Sequence, residues 1–269
     1  MGSAVLNRLR VTVAALFLGL ALLAVRGSPW PTWATGPQIG LLAASGLIGF
    51  VFGDANYFRA LVILGPGRAA LLASLAPVFT AGLAWPVLGE VPGPLALLGM
   101  ALTLGGIFSV LRERERRERA HVEGSALAGV IAGVLGALGQ SVGFVISKLA
   151  LRTGLDPLSA TVVRIAAAAV GVWALAAVQR ESAGSLAALR DRAAALFMVG
   201  GAFFGPFLGV TLSLNALEYI QAGVAASITA CYPLLTIVLS ARFHGERLTP
   251  RSLAGFLVAV AGVVVLFLR

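Results

Sequence analysis

A carboxylate, a phenol and a guanidinium fall within six consecutive residues, at Asp54, Tyr57 and Arg59, inside an otherwise apolar run near 39–62. Ionisable groups are expensive to place in lipid, so where they occur they mark solute or proton paths. Asp54 is the one acid near the middle of such a run. It can hold a proton or the cationic group of a solute. The alternative is an ion pair with Arg59 or Arg164 that only fastens helices together. Asn215 lies in a second run near 194–217, Gln140 in a run near 125–147, and Cys231 and Tyr232 in a run near 222–241. The candidate solute-binding residues are therefore Asp54, Tyr57, Arg59, Gln140, Asn215, Cys231 and Tyr232. Pro77 and Pro233 fall in mid-run, where the ring removes a backbone donor and frees a carbonyl one turn earlier. In a transporter such weak points serve as hinges or ligand contacts.

Nothing in the chain has the spacing of an enzyme. His121 and His244 are far apart and lie between the apolar runs, and no metal-ligand spacing is present. A nucleophile elbow, a phosphate loop and a dinucleotide fingerprint are all missing. The expectation is no enzyme, no metal and no cofactor. The single cysteine, Cys231, excludes an internal disulfide.

The elements that must position these residues follow from composition. Of 269 residues, 59% are hydrophobic and 12% charged, with a mean hydropathy of +0.96. Crossing a bilayer core takes about 20 apolar residues as a helix. Nine spans are predicted, near 4–25, 39–62, 68–88, 95–111, 125–147, 158–178, 194–217, 222–241 and 252–268. Strands fail on length, because lipid-facing backbone must satisfy itself internally. The first apolar run lacks a small-residue cleavage site and is read as a span rather than a leader. Gly129, Gly133, Gly136, Gly139 and Gly143 smooth one face of the run near 125–147, which suits close helix packing.

The net charge of +9 comes from 20 Lys and Arg against 11 acids. Most of the cations lie between apolar runs, so the excess orients the chain in a membrane rather than binding nucleic acid. Alternating the loops across nine spans puts fourteen cations on one side, Arg8 and Arg10 among them, and four on the other. That count places the Arg/Glu-rich segment 112–123 in the cytoplasm. Lys148, at the end of its run, is expected to snorkel to the interface.

The second half repeats the first at an offset of 156 residues. Pro77, Thr80, Gly89, Glu90, Pro94, Leu97, Gly99 and Gly106 match Pro233, Thr236, Gly245, Glu246, Pro250, Leu253, Gly255 and Gly262, and Arg8 matches Arg164. Asn215 stands where Arg59 stands in the first half. The division expected is a first repeat over 1–111, a linker over 112–123 and a second repeat over 124–269. The run near 125–147 has no counterpart in the first repeat, so the expectation is two five-helix repeats with the first helix of repeat one missing.

These residues resemble the drug/metabolite transporter superfamily, specifically the EamA-type proteins. The resemblance rests on Tyr57 to Leu61, Pro77 to Thr80 and Gly89-Glu90, on Asn215 to Leu217, Tyr232-Pro233 and Gly245-Glu246, and on Gly129 to Lys148. It implies an all-α integral membrane protein of inverted repeats, with a central cavity lined by the first, third and fourth helices of each half. It also implies alternating-access transport of a small metabolite or drug; with the bias to Arg, Ala and Gly pointing to a bacterial genome, the location expected is multi-pass in a bacterial inner membrane. The family topology places segment 112–123 outside, against the charge count, so orientation stays open between the two. The partners expected are lipid and a small-molecule solute, with no nucleic acid. The rival reading is a truncated or non-transporting subunit, or a homodimer, that associates through the glycine faces.

Overall fold

The computed structural model describes residues 3–117, 125–179, 192–232, 234 and 249–268. Every regular element among them is helical. They are α1 (Ser3–Arg26), α2 (Gly36–Leu64) and α3 (Pro66–Leu88), α4 (Pro94–Arg117), α5 (Ala126–Leu151), α6 (Pro157–Val178), α7 (Ala194–Tyr219), α8 (Ala222–Thr229) and α9 (Pro250–Phe267). All but α8 are long and apolar enough to cross a membrane. The ninth expected span is described over 222–232 and at 234, and its remainder lies outside the described residues.

The ends follow the turn chemistry of the sequence. Proline opens α3, α4, α6 and α9, in the first turn, where its missing N–H is not needed. The Asp156 carboxylate accepts from the Ser159 N–H at 3.0 Å and caps α6. Gly89 closes α3 at φ 68°, a left-handed conformation suited to glycine. One end differs from expectation. α4 continues beyond 111 through Arg117, because Arg and Glu are good helix formers.

The repeat also appears in two local distortions. α2 widens into a π-helical stretch at Leu47–Gly53, and α7 does so at Phe203–Gly209, at matching positions under the 156-residue shift. α3 is two pieces, Pro66–Ala73 and Ala76–Leu88, parted at Ser74 and Leu75. Pro77 therefore stands in the first turn of a helical piece rather than within a continuous span. The same two-residue turn follows α8 at Ala230 and Cys231. Pro233 lies outside the described residues.

The chain packs into two compact units, residues 1–58 with 142–219 and residues 59–141 with 220–269. Each draws on both halves of the sequence, and the division falls inside α2 and inside α5.

In the second unit, α4 and α9 meet through glycines that leave main chain against main chain. A methyl on Gly106 would sit 2.5 Å from the Gly255 carbonyl oxygen, and one on Gly262 would sit 2.7 Å from the Gly99 carbonyl oxygen. Gly99 therefore meets Gly262 while Gly106 meets Gly255, so the two helices run antiparallel. Since Gly99 matches Gly255 and Gly106 matches Gly262, this is the self-complementary contact of a twofold axis across the helices. An inverted repeat requires that relation. Glu90 spans a long stretch of sequence in the same unit. Its Oε2 accepts from the Ala222 N–H at 2.7 Å and so caps α8.

In the first unit, Val11, Ala14, Leu18 and Leu22 of α1 pack with Val162, Ile165 and Ala168 of α6. The Trp173 indole N–H donates to Thr12 Oγ1 at 2.8 Å and ties the same two helices. The Phe17 ring meets Phe203 edge-on at 5.8 Å, seating α1 against the π stretch of α7.

Candidate functional site

The polar core of the first unit gathers on the π stretch of α2. A wider turn breaks the regular ladder of backbone hydrogen bonds, and such distortions are frequent at functional sites. The Phe50 carbonyl oxygen there accepts from Asn7 Nδ2 at 3.4 Å. Asp54 follows the stretch directly and is buried. Its Oδ2 accepts from Arg10 Nη2 at 2.8 Å, and the same Nη2 donates to Asn7 Oδ1 at 3.1 Å. The Arg10 guanidinium also lies 5.7 Å from the Phe58 ring centroid.

Asp54 thus has a partner other than the two read from sequence. Its side chain meets Arg10 at 2.8 Å, and its charge also acts on Arg164. The charge count had assigned Arg8 and Arg10 to a loop, yet both lie inside α1, and Arg8 is buried. Lys148 is buried too, rather than reaching for the interface.

Arg164 of α6 is held from three sides. Its own carbonyl presses on Gly46, where any added methyl would collide with it. Its guanidinium carbon stands 5.0 Å from the Phe50 ring centroid. A methyl on Gly143 of α5 would lie 3.2 Å from its Nη2 and 2.9 Å from the Ser45 carbonyl oxygen. Ser45 Oγ donates to the Gly143 carbonyl at 2.6 Å and shares a bond of 2.7 Å with Ser147 Oγ, which locks α2 against α5. Arg164 is 3% exposed, and among the described residues its Nε has no hydrogen-bond partner. A cation–π contact is worth about 0.5–2 kcal/mol. An unpaired buried charge costs several kcal/mol. The contact with Phe50 therefore does not offset the burial of Arg164. Asp54 is near enough for its charge to act on Arg164, but its hydrogen bond goes to Arg10.

The other expected residues divide between the units. Tyr57 and Asn215 belong to the first unit with Asp54, while Arg59, Gln140, Cys231, Tyr232 and Pro77 belong to the second. The Tyr57 ring lies 5.8 Å from that of Phe58, and Asn215 and Arg59 are exposed. The Cys231 Sγ donates to the Ser227 carbonyl at 3.6 Å, and the side chain packs beside Ile107, Val110 and Leu234. At the break in α3, the Ala76 carbonyl accepts from Ser141 Oγ at 2.8 Å and from Thr80 Oγ1 at 2.8 Å. Among the described residues, no group of His, Cys, Asp or Glu could hold a metal ion.

A model of the EamA-like transporter family matches residues 1–112 and 127–268. The chain belongs to that family. It is similar to a probable terminal-alkyne amino-acid exporter of Streptantibioticus cattleyicolor, at 32% identity over 118 residues. That match covers 44% of this chain and 38% of the exporter, well under two thirds of its length. A solved crystal structure at 19% identity superposes with a TM-score of 0.74, covering 100% of this chain and 88% of the other. The two share a fold over the whole of this chain. Sequence reasoning did not single out Asn7 and Arg10, which the structure gathers with Asp54, nor the burial of Arg8. The signal was available in the match of Arg8 to Arg164 across the repeat, since both side chains are buried.

Proposed function

We propose that the protein is a secondary transporter of a small organic metabolite or drug, working by alternating access in a bacterial inner membrane. The observation that carries this reading is the group of buried Asn7, Asp54 and Arg164 with half-buried Arg10 inside an apolar helical unit of an EamA-like chain. Charges are retained at such depth where they serve a solute or proton path. Asp54 is the proposed proton or cation acceptor, with Tyr57 and Asn215 as solute contacts in the same unit. Arg59, Gln140, Cys231 and Tyr232 are the proposed contacts in the second. The paired breaks at Ser74–Leu75 and Ala230–Cys231, with Pro77 and Pro233 beside them, are the proposed hinges. Export is the proposed direction, after the name of the Streptantibioticus relative.

The rival reading, association through glycine faces, has less to work with. Gly99, Gly106, Gly255 and Gly262 are occupied by contacts within the chain, and Gly129 and Gly133 pack on Leu64 and Leu72. The test is solute loss from proteoliposomes loaded with a metabolite mixture that includes amino acids, read by mass spectrometry under an imposed proton or sodium gradient. At least one solute should leave faster than from protein-free vesicles. If none does under either gradient, the transporter reading falls.

A further inference from the structure

We propose that Asn7 is a positioning residue of the first unit, carrying the charge state of Asp54 through Arg10 to the Phe50 carbonyl and so to the π stretch of α2. The proposal rests on the transporter reading above, in which Asp54 accepts a proton or a cationic group, and says what that event moves.

The hydrogen bonds form a closed ring. In a regular α turn the Phe50 carbonyl would accept from the Asp54 N–H, four residues on. Here that N–H reaches back to the Gly49 carbonyl instead, five residues away. Asn7 Nδ2 approaches the Phe50 carbonyl at 3.4 Å in place of the diverted donor. At its other end Asn7 Oδ1 accepts from Arg10 Nη2 at 3.1 Å, and the same Nη2 donates to Asp54 Oδ2 at 2.8 Å. The ring thus leaves from the main chain of Asp54 and returns at its carboxylate.

One orientation of the Asn7 amide serves both neighbours, since a guanidinium only donates and a carbonyl only accepts. Asn7 is buried, so water does not readily stand in for either neighbour. Bonds in such a chain polarise one another, and a charged member strengthens the rest. The Asp54 carboxylate holds Arg10, Arg10 orients Asn7, and Asn7 keeps the Phe50 carbonyl out of the α ladder. Arg164, on which the charge of Asp54 also acts, faces the Phe50 ring from α6 and leaves the carbonyl to Asn7. A neutral Asp54 holds Arg10 more weakly. The Phe50 carbonyl then recovers the Asp54 N–H, the π turn closes to an α turn, and the residues after it rotate about the helix axis. Tyr57, a proposed solute contact, is among them.

The second repeat supplies the contrast. The Val210 N–H likewise reaches back to the Gly205 carbonyl, so α7 carries the same turn. The positions matching Asn7, Arg10 and Asp54 are Val163, Ala166 and Val210, and Pro206 stands where Phe50 stands. At those positions the π stretch of α7 has no charge to answer to. One repeat keeps a fixed turn, and the other ties its turn to an acid.

The test is amide hydrogen exchange of the full-length protein in detergent, at one pH and below the melting range, read by mass spectrometry over residues 47–58. Wild type is compared with Asp54→Asn, Asn7→Leu and the double variant. Each single variant should slow exchange there about threefold or more, because the α turn is the more stable of the two. The double variant should be no slower than either single one, as expected of residues acting in one chain. Loss of a residue that merely packs α1 against α2 would have the opposite sign and speed exchange. Exchange over residues 203–210 should not change. Unchanged or faster exchange over 47–58 in either single variant, additive slowing in the pair, or equal slowing over 203–210 would each overturn the proposal. If Asn7→Leu does not fold, Asn7→Ala takes its place, and Asp54→Asn against wild type decides alone if neither folds.

The transport arm separates the two readings. Solute release from proteoliposomes should fall about threefold or more in Asn7→Leu. If wild type moves no solute, the transporter reading fails, while the exchange result still decides whether Asn7 couples Asp54 to α2. If solute leaves wild type and Asn7→Leu at the same rate, the transporter reading stands and this inference fails.

Discussion

Neutralising Asp54 tests the electrostatics of the first unit directly. The Arg10–Asp54 contact is 2.8 Å long, with side-chain exposures of 25% and 10%. At an effective dielectric constant of about 20, two unit charges about 4 Å apart attract by ~4 kcal/mol. Desolvation offsets most of that attraction, and the quarter-exposed arginine screens it further. Polar contacts between helices in membranes reach about 1.7 kcal/mol when measured by double-mutant cycles. The expected coupling energy is therefore about 1–2 kcal/mol. For a chain of this size that corresponds to a melting shift of about 2–4 °C. The assay is a four-protein cycle of wild type, Arg10→Met, Asp54→Asn and the pair, each melted in the same detergent. Trp173 donates to Thr12 across the α1–α6 contact and reports when α1 separates. Each single variant should melt lower than wild type. The pair should recover part of the loss, because no lone charge is left behind. The shifts should change little between low and high salt, since buried pairs are screened weakly. A coupling below about 0.5 kcal/mol, the size of an exposed pair, would refute the reasoning.

The α4–α9 glycines give a contrast between neighbours. Gly106→Ala drives a methyl into the main chain of α9 and should cost about 1–3 kcal/mol of stability, whereas Gly105→Ala faces open space and should cost almost nothing; thermal melts of the two decide it. Glu90→Ala removes the cap on α8 and should cost about 1 kcal/mol, with Glu90→Gln costing less because an acceptor remains; equal losses would show that the contact with the Ala222 N–H is idle. In proteoliposomes, Asp54→Asn and Asn215→Ala should each slow solute release, and unchanged rates in both would remove them from the site. Ser45→Ala should cost about 0.6–1.7 kcal/mol by removing the tie between α2 and α5, read as earlier melting.

The helices were legible because lipid imposes one rule on long apolar runs, and proline and glycine punctuate them at fixed places. The offset of 156 carried further than side chains alone suggest, since the π stretches and the two-residue breaks recur at matching positions. Those distortions were not legible themselves. A π turn in Leu47–Gly53 has no residue pattern of its own that sets it apart from the regular helix on either side. The site was legible in part. Asp54 stood out because a lone acid in an apolar run has few structural reasons to exist. Arg10 did not, because an arginine near a helix start is indistinguishable by position from one that orients the chain in a membrane. The burial of Arg164 needed packing as well, since only the crossing with Gly46 and Gly143 shows how tightly its side chain is enclosed.

The self-complementary meeting of α4 with α9 has a consequence for assembly. Each repeat ends in a helix whose natural mate is the matching helix of the other, so the docking code is carried by the helices and not by the peptide that joins them. Two separately translated halves, severed within 118–124, should find one another in a membrane and co-purify through a tag on either piece. Gly262→Leu, which forces a side chain into the main chain of α4, would then abolish recovery of the untagged half.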